Sequence, residues 1–315
     1  MGLIVIDSGF WTTVQDAGRF GYREWGVPPG GAFDRGAADL ANGLVGNGPH
    51  CATLELTMRG GTFEALGNVG LALAGAPMEA SILGTCNPPR LLQVPLSFTL
   101  AAGERLVLGR TVSGARTYLA VKGGFQARVR MGSRSTEEPL KRGDFLGTSE
   151  SVIACRRPSE PVWMGPAARP IRIVDGPDVR LLFGDALWTN EHFRVSSQSN
   201  RVGLKLEGSP VAVGAAADRL SSPVAPGAVQ VAGRQLIILG VASGTMGGYP
   251  HIANVITADL DRIGQLRPGD EIGFERISIE QARDLDRVMR YSRRALLLQV
   301  ASLARDFSNP AARSN

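Results

Sequence analysis

Cysteine and histidine are scarce in this chain: three of each in 315 residues. Cys51, Cys86 and Cys155 are odd in number and widely spaced, so no disulfide framework or zinc-binding spacing is legible. None of His50, His192 and His251 stands at metal-ligand spacing from another histidine or a cysteine, so no metal site is expected. No apolar run reaches the roughly 18 residues that a membrane span needs. The first residues carry neither a basic region nor a cleavage site, so they do not read as a secretory signal. Together these absences predict a cytoplasmic protein with no membrane association. Also missing are a serine elbow, a Cys–His dyad, a dinucleotide fingerprint and a Walker loop, so the sequence declares no nucleophile.

Turn formers are abundant instead. Glycine (40) and proline (19) make up about a fifth of the chain, without collagen periodicity or low-complexity runs. Scattered in this way, they punctuate many short strands. Hydrophobic residues are 43% of the chain, enough for a sizeable core, and the net charge of +5 is mild. One basic cluster, Arg287, Arg290, Arg293 and Arg294, reads as the wet face of a helix, with a partner or nucleic-acid patch as the alternative. Without interleaved aromatics it does not suggest nucleic-acid binding.

Strands are predicted at 3–6, 53–57, 71–74, 91–94, 105–108 and 116–121. In the second half they fall at 171–174, 193–196, 203–206, 228–231, 235–241 and 271–275. Residues 10–31 read as a Gly/Pro-rich loop before a helix over 32–45, whose Phe33, Ala37, Leu40, Ala41 and Leu44 share a face. A short helix is expected at 179–187. A longer one is expected from 279 to 304, opened by a Ser278/Gln281 capping box. One segment recurs: Leu140-Lys141-Arg142-Gly143-Asp144-Phe145-Leu146-Gly147 and Leu266-Arg267-Pro268-Gly269-Asp270-Glu271-Ile272-Gly273 share Leu, base, any, Gly, Asp, any, aliphatic, Gly. Either a turn recurs by chance or a β-barrel-like module is duplicated, with its seam in 156–170. The predicted organisation is an N-terminal module over 1–160, a C-terminal module over 161–277, and a helix and tail over 278–315.

Four segments carry candidate chemistry. The first displays Gln15, Asp16, Arg19 and Tyr22 among glycines, where backbone N–H groups and a guanidinium fork suit an anion. The blander reading pairs Asp16 with Arg19 and leaves Asp34 to start the helix. The second, Gly132-Ser133-Arg134-Ser135-Thr136, is a small oxyanion or phosphate nest, or else a surface turn. The third runs Gly244-Thr245-Met246-Gly247-Gly248-Tyr249-Pro250-His251, where glycines permit close backbone approach beside a titratable ring. The fourth sets Arg201, Lys205 and Glu207 in line on a strand face, as a charged wet ladder or the wall of an acid-binding cleft.

In this order the segments resemble the allophanate hydrolase subunit 2 family, which includes KipA and the C-type subunit of 5-oxoprolinase. The resemblance rests on residues 13–22, 26–34, 44–47, 54–55, 132–136, 200–208, 226–231, 247–250, 258–260 and 265–270, and covers about 3–276. It implies a mainly β fold with a few helices, built as tandem cyclophilin-like β-barrel modules. It implies one component of a heteromeric, ATP-dependent amide or lactam hydrolase. Its partners would be a KipI-like B-type subunit and a LamB/YcsF-like A-type subunit. The substrate would be a small carboxylate or amide, and ATP would be used by the complex with no cofactor bound covalently to this chain. Two other roles of the family are a KipA-like regulator of a KipI-type kinase inhibitor and the carboxyltransferase component of a biotin-dependent urea or amide carboxylase. No biotin-attachment Met-Lys-Met is present, so in that role the carrier would lie elsewhere.

On this reading Arg19 and Arg134 contact the anion, while Gln15, Asp16 and Tyr22 orient the amide. Ser133, Ser135 and Arg201 line the pocket, and Thr245, Gly247, Gly248 and Tyr249 form a glycine-rich wall with His251 as proton carrier. The chain departs from the family pattern at Gly244, Met246 and His251, where Gln, Thr and Lys are usual, and at Glu137-Glu138-Pro139, where a glycine-rich insert is usual. These departures bear on the substrate more than on the fold.

Overall fold

The computed structural model describes residues 1–84, 88–159, 169–184, 192–214 and 220–305, with residues 303–305 described by backbone alone. Cys86 and the middle of the expected seam lie outside the described residues. The chain forms two compact units. The first comprises 1–18, 34–165 and 292–315; the second comprises 19–33 and 166–291.

The first unit contains β1 (Gly2–Asp7), β2 (Trp11–Gln15), α1 (Arg35–Leu44), β3 (Thr53–Thr57), β4 (Thr62–Ala65) and β5 (Val69–Gly75). It continues with β6 (Met78–Leu83), β7 (Arg90–Leu92), β8 (Leu96–Leu100), β9 (Arg105–Thr111), β10 (Arg116–Val121) and β11 (Phe145–Gly147). Two sheets result, in the orders β11-β1-β4-β9-β6-β7 and β2-β3-β10-β5-β8. Between them lies an aliphatic core that includes Leu3, Val5, Leu54, Phe63, Leu71 and Leu106, each fully buried. Each such side chain contributes about 1.5–3 kcal/mol relative to exposure.

The helix α1 begins three residues later than its apolar periodicity suggests, because Asp34 is its N-cap: the Asp34 carboxylate accepts from the Ala37 N–H at 2.8 Å. The Asp34 N–H is itself held by the Tyr118 hydroxyl at 2.8 Å, and that hydroxyl donates to Glu55 at 2.7 Å. Arg116 completes the network with a 3.2 Å contact to Glu55. Burial, with the carboxylates of Glu55 and Asp34 nearby, drives the Tyr118 phenol far above its ordinary value, so it remains a neutral donor.

The second unit contains β12 (Ile171–Asp175), β13 (Phe193–Val195), β14 (Gly203–Glu207), β15 (Ser222–Pro223), β16 (Ala228–Ala232) and β17 (Gln235–Leu239). After these come β18 (Met246–Gly247), β19 (His251–Val255), α2 (Leu260–Ile263), β20 (Glu271–Ile272) and β21 (Phe274–Arg276). Eight strands form one sheet, β20-β13-β14-β17-β16-β19-β12-β21. Its two end strands, β20 and β21, are separated in sequence by Gly273 alone, so the sheet curls into a nearly closed barrel. Ile171, Phe193, Val229, Ile238 and Ile252 fill it, together with Phe33 from the 19–33 segment. The buried Asp259 carboxylate ties Arg172 (2.6 Å) and Arg262 (3.0 Å) together.

The mainly β expectation holds, and the repeated segment has a geometric counterpart. In the first unit Lys141 N–H donates to Asp144 Oδ2 (2.8 Å), Gly143 has φ +90°, and Val5 exchanges bonds with Gly143 and Asp144 at 2.8 and 3.0 Å. In the second, Arg267 N–H donates to Asp270 Oδ2 (2.8 Å), Gly269 has φ +92°, and Val195 makes the same exchange at 2.8 and 2.9 Å. Both aspartates bond back to the N–H three residues earlier, closing a turn whose positive φ glycine adopts without strain.

Three readings need correction. The 10–31 segment is not all loop, since Trp11–Gln15 pairs with β3 along its whole length. The helix expected at 179–187 is a single 3-10 turn, Val179–Leu181, among the described residues. The strand expected at 271–275 is two strands broken at Gly273. The capping box is present: the Ser278 N–H donates to Gln281 Oε1 at 2.9 Å and the Gln281 N–H to Ser278 Oγ at 3.2 Å. It opens α3 (Ile279–Arg305). Among the described residues no helix is long and apolar enough to cross a membrane.

Candidate functional site

In the first unit the candidate residues converge on Asp16, which follows directly on β2. A two-residue turn reverses the chain at Met131 (φ 51°) and Gly132 (φ 76°), with Arg130 and Ser133 bonded across it. Positive φ at both central positions is the type I′ signature. The turn delivers Ser133, Arg134 and Ser135 to the aspartate. Ser133 Oγ and Ser135 Oγ donate to Asp16 Oδ1 at 2.6 and 2.7 Å, and the Arg134 N–H donates to Oδ2 at 2.6 Å. The Gly18 N–H adds a fourth bond at 2.8 Å.

Burial pushes the Asp16 carboxyl up, but the donors Ser133, Ser135, Arg134 and Gly18 outweigh it and hold the group below its ordinary value. The oxyanion nest foreseen at 132–136 therefore exists, and its occupant is the protein's own carboxylate. Ser133 and Ser135 direct their protons to Asp16, which replaces the expectation that they meet a ligand. Asp16 is a fastening for the Arg134 backbone.

That fastening leaves an unused cation. Arg134 is half-buried, its Nε is fully buried, and its guanidinium makes no hydrogen bond or ion pair among the described residues. Next to Asp16 in the chain, Gln15 donates from Nε2 to Thr13 Oγ1 (2.9 Å) and to the Thr136 carbonyl (2.7 Å). Because a carbonyl accepts only, this fixes the amide orientation and turns Oε1 away from both partners. That oxygen is buried without a partner. A donor fork and an acceptor thus flank the same fastened loop.

In the second unit the 19–33 segment is anchored at several points. The Arg19 N–H closes the loop on the Pro29 carbonyl (2.8 Å), and the Gly30 N–H reaches the Val241 carbonyl (3.0 Å). Arg201, only 5% exposed, donates to the Gly31 carbonyl at 2.7 Å. Its expected alignment with Lys205 and Glu207 fails, because Arg201 precedes β14 and is buried, whereas Lys205 and Glu207 share the exposed strand face. Arg23 donates to the Val224 carbonyl, and the Val224 N–H to the Thr245 carbonyl (2.9 Å). Tyr22 packs on Trp25 with ring centres 5.5 Å apart.

The glycine-rich wall follows. β18 pairs with β15, and buried Gln230 donates to the Tyr249 carbonyl at 3.3 Å. A methyl group on Gly247 would come within 2.4 Å of Gln230 Nε2, so a larger residue there would force the Gln230 side chain to shift. Gly248 and Tyr249 are exposed. His251 is buried at the start of β19; its N–H donates to Asp178 (2.8 Å) and its Nε2 lies 2.9 Å from Asn254 Oδ1. As Oδ1 only accepts, this contact suits the tautomer that carries its proton on Nε2.

Gln15, Asp16, Ser133, Arg134 and Ser135 thus form one cluster in the first unit. Arg201, Thr245, Gly247 and Tyr249 belong, with the Arg19 and Tyr22 loop, to the second. Arg23, Gln230, Asp178 and Asn254 are contributors that the sequence does not single out. The available signal for Gln230 is a lone amide in an otherwise apolar Ala-Val-Gln-Val-Ala strand.

A protein of two β-rich units carrying these segments is a carboxyltransferase-type domain, and the family model for the carboxyltransferase domain, subdomain A and B, matches residues 25–276. The chain belongs to that family. It is 34% identical over 298 residues to the C-type subunit of 5-oxoprolinase from Escherichia coli strain K12, an alignment covering 89% of this chain and 93% of that one. Among solved structures, TTHA0988 shares 34% identity at a TM-score of 0.76, covering 87% of this chain and 55% of the other. The urea amidolyase of K. lactis shares 26% identity at a TM-score of 0.78, covering 93% of this chain. This chain spans only 20% of that enzyme and about half of TTHA0988.

Proposed function

We propose that this chain is the C-type component of a 5-oxoprolinase-like enzyme, a heteromeric hydrolase that opens a cyclic amide. The near-complete mutual coverage with the E. coli protein of that type supports this reading. The observation that carries it is the Arg134 guanidinium, whose backbone is fastened by Asp16 and which has no partner among the described residues, together with the unpartnered amide oxygen of Gln15, the residue before Asp16. A planar donor fork suits a carboxylate, and a buried amide oxygen suits a lactam N–H.

Arg134 binds the carboxylate in this proposal, and Gln15 orients the ring amide. Because the 132–136 nest is filled by Asp16, it has no room for a phosphate. ATP handling is therefore assigned to a KipI-like companion of the B type, with a LamB/YcsF-like companion of the A type completing the complex.

The test is to purify the chain alone and with its companions and follow 5-oxoproline-dependent ATP hydrolysis. Activity is expected only in the mixture. Arg134→Ala is expected to raise KM by roughly 10–100-fold, with partial rescue by Arg134→Lys, which keeps charge but not the fork. Full activity of Arg134→Ala in the assembled complex would refute the site.

A second reading is favoured by the likeness to urea amidolyase and by the family description itself: carboxyl transfer from a carrier on another chain. It predicts turnover that depends on a biotinylated carrier and is indifferent to 5-oxoproline.

A further inference from the structure

We infer that the outer face of α3 is a docking surface for an acidic amphipathic helix of another polypeptide. The helix runs 27 residues, and all of it lies beyond residue 276, where the family match ends. Its inner side is occupied: Leu297 and Val300 pack at Gly43 of α1, and Arg293 lies 3.7 Å from Asp39. On the other side Val288, Tyr291, Ala295 and Leu298 follow one another at spacings of three, four and three. That is the a/d seam of a helix pair. Val288 and Leu298 are each 62% exposed and Tyr291 is 76% exposed. Large apolar side chains lined up at seam spacing form a stripe, which scattered surface residues do not.

Charge selects the occupant. One border of the seam carries Arg287, Arg290 and Arg294, all exposed. Arg287 and Arg290 make only local, solvent-exposed pairs with Asp284 and Asp286, and Arg294 makes no ion pair among the described residues. Exposed pairs of this kind contribute little and exchange readily. A second copy packed antiparallel on the same face would set arginines against arginines. A helix with an apolar seam and glutamate or aspartate along the flank facing these arginines would meet complementary charge on that border. This docking surface is independent of the substrate site and of the activity proposed for it.

The test uses the full chain and two labelled synthetic helical peptides with leucine seams, one flanked by glutamate and one by lysine. The glutamate peptide is expected to bind at least about tenfold tighter, by fluorescence anisotropy. Combined Arg287→Glu, Arg290→Glu and Arg294→Glu should invert the preference. Tyr291→Asp with Leu298→Asp should abolish binding of both peptides, with melting temperature and helical circular dichroism unchanged because these side chains are exposed. Equal affinity for the two peptides would overturn the proposal. So would binding to phosphatidylserine vesicles or duplex DNA in place of the peptides, or a dimer that Leu298→Asp dissolves in the ultracentrifuge.

Discussion

Replacing Asp16 by alanine tests whether this carboxylate fastens the Arg134 loop. It accepts four bonds of 2.6–2.8 Å, from two hydroxyls and two backbone N–H groups. Hydrogen bonds to a charged group contribute about 1.5–3 kcal/mol each, so the four sum to about 6–12 kcal/mol before desolvation. Burying the carboxylate costs several kcal/mol in return. The net loss in Asp16→Ala is then about 3–5 kcal/mol, which lowers the melting temperature by about 10 °C at the usual 2–4 °C per kcal/mol.

The pH dependence follows from the direction of the shift. The folded carboxyl lies below its ordinary value of 3.8, so its stabilisation is complete above that pH and fades as pH falls through the folded value. Wild type and Asp16→Ala should differ by a constant amount from about pH 5 to 8 and converge below about pH 4. Differential scanning calorimetry across this range checks both points. A variant melting within about 2 °C of wild type at neutral pH, or a gap undiminished in acid, would refute the fastening.

Tyr118→Phe removes the hydroxyl between the Asp34 N–H and Glu55, and should cost about 1–3 kcal/mol in urea unfolding; a change below about 0.5 kcal/mol denies the bridge a role. Asp259→Asn leaves Arg172 and Arg262 facing a neutral amide and should cost about 3–5 kcal/mol at neutral pH. Burial raises the Asp259 carboxyl, but Arg172 and Arg262 prevail and hold it low, so this loss too should vanish as pH falls through the folded value. Gly247→Ala forces Gln230 off the Tyr249 carbonyl at about 1–3 kcal/mol, whereas Gly248→Ala, whose nearest neighbour is Ser221 Oγ at 3.5 Å, should be neutral within about 0.5 kcal/mol; thermal melts of the pair test the difference.

The contrast between Thr53–Thr57 and Trp11–Gln15 shows what a sequence makes legible. Thr53–Thr57 is a short β-prone run next to turn formers, and the strand occupies the predicted bounds. Trp11–Gln15 has the same β-branched character but runs into Asp, Gly and Arg, and so reads as loop. Its burial comes from distant chain, since Thr136 and Leu140 donate to the Val14 and Thr12 carbonyls along its outer edge. The same limit governs the site. Glycine and serines at 132–136 announce a nest, but the anion filling it lies 117 residues away from Ser133. Local signals such as the Asp34 cap and the Ser278/Gln281 box are readable because donor and acceptor lie within one turn. Arg201 escapes such a reading because strand alternation cannot apply to a residue two positions before the strand begins.

The repeated turn explains how one scaffold carries different surfaces. Pairing is in the same register in both units: Leu3 faces Leu146 as Phe193 faces Ile272, and Ile4 faces Phe145 as Arg194 faces Glu271. The first pair of each set is buried and apolar, which the core demands. The second pair is free to differ: Ile4 with Phe145 in one unit, and a 3.0 Å salt bridge between Arg194 and Glu271 in the other. Side chains alternate across a strand, so the inward positions maintain the shared register while the outward ones change chemistry without disturbing it. Function in such a fold should therefore reside where the two copies differ. The Arg134 fastening and the Gly244–His251 wall are features of that kind, each in its own unit and each outside the repeated turn.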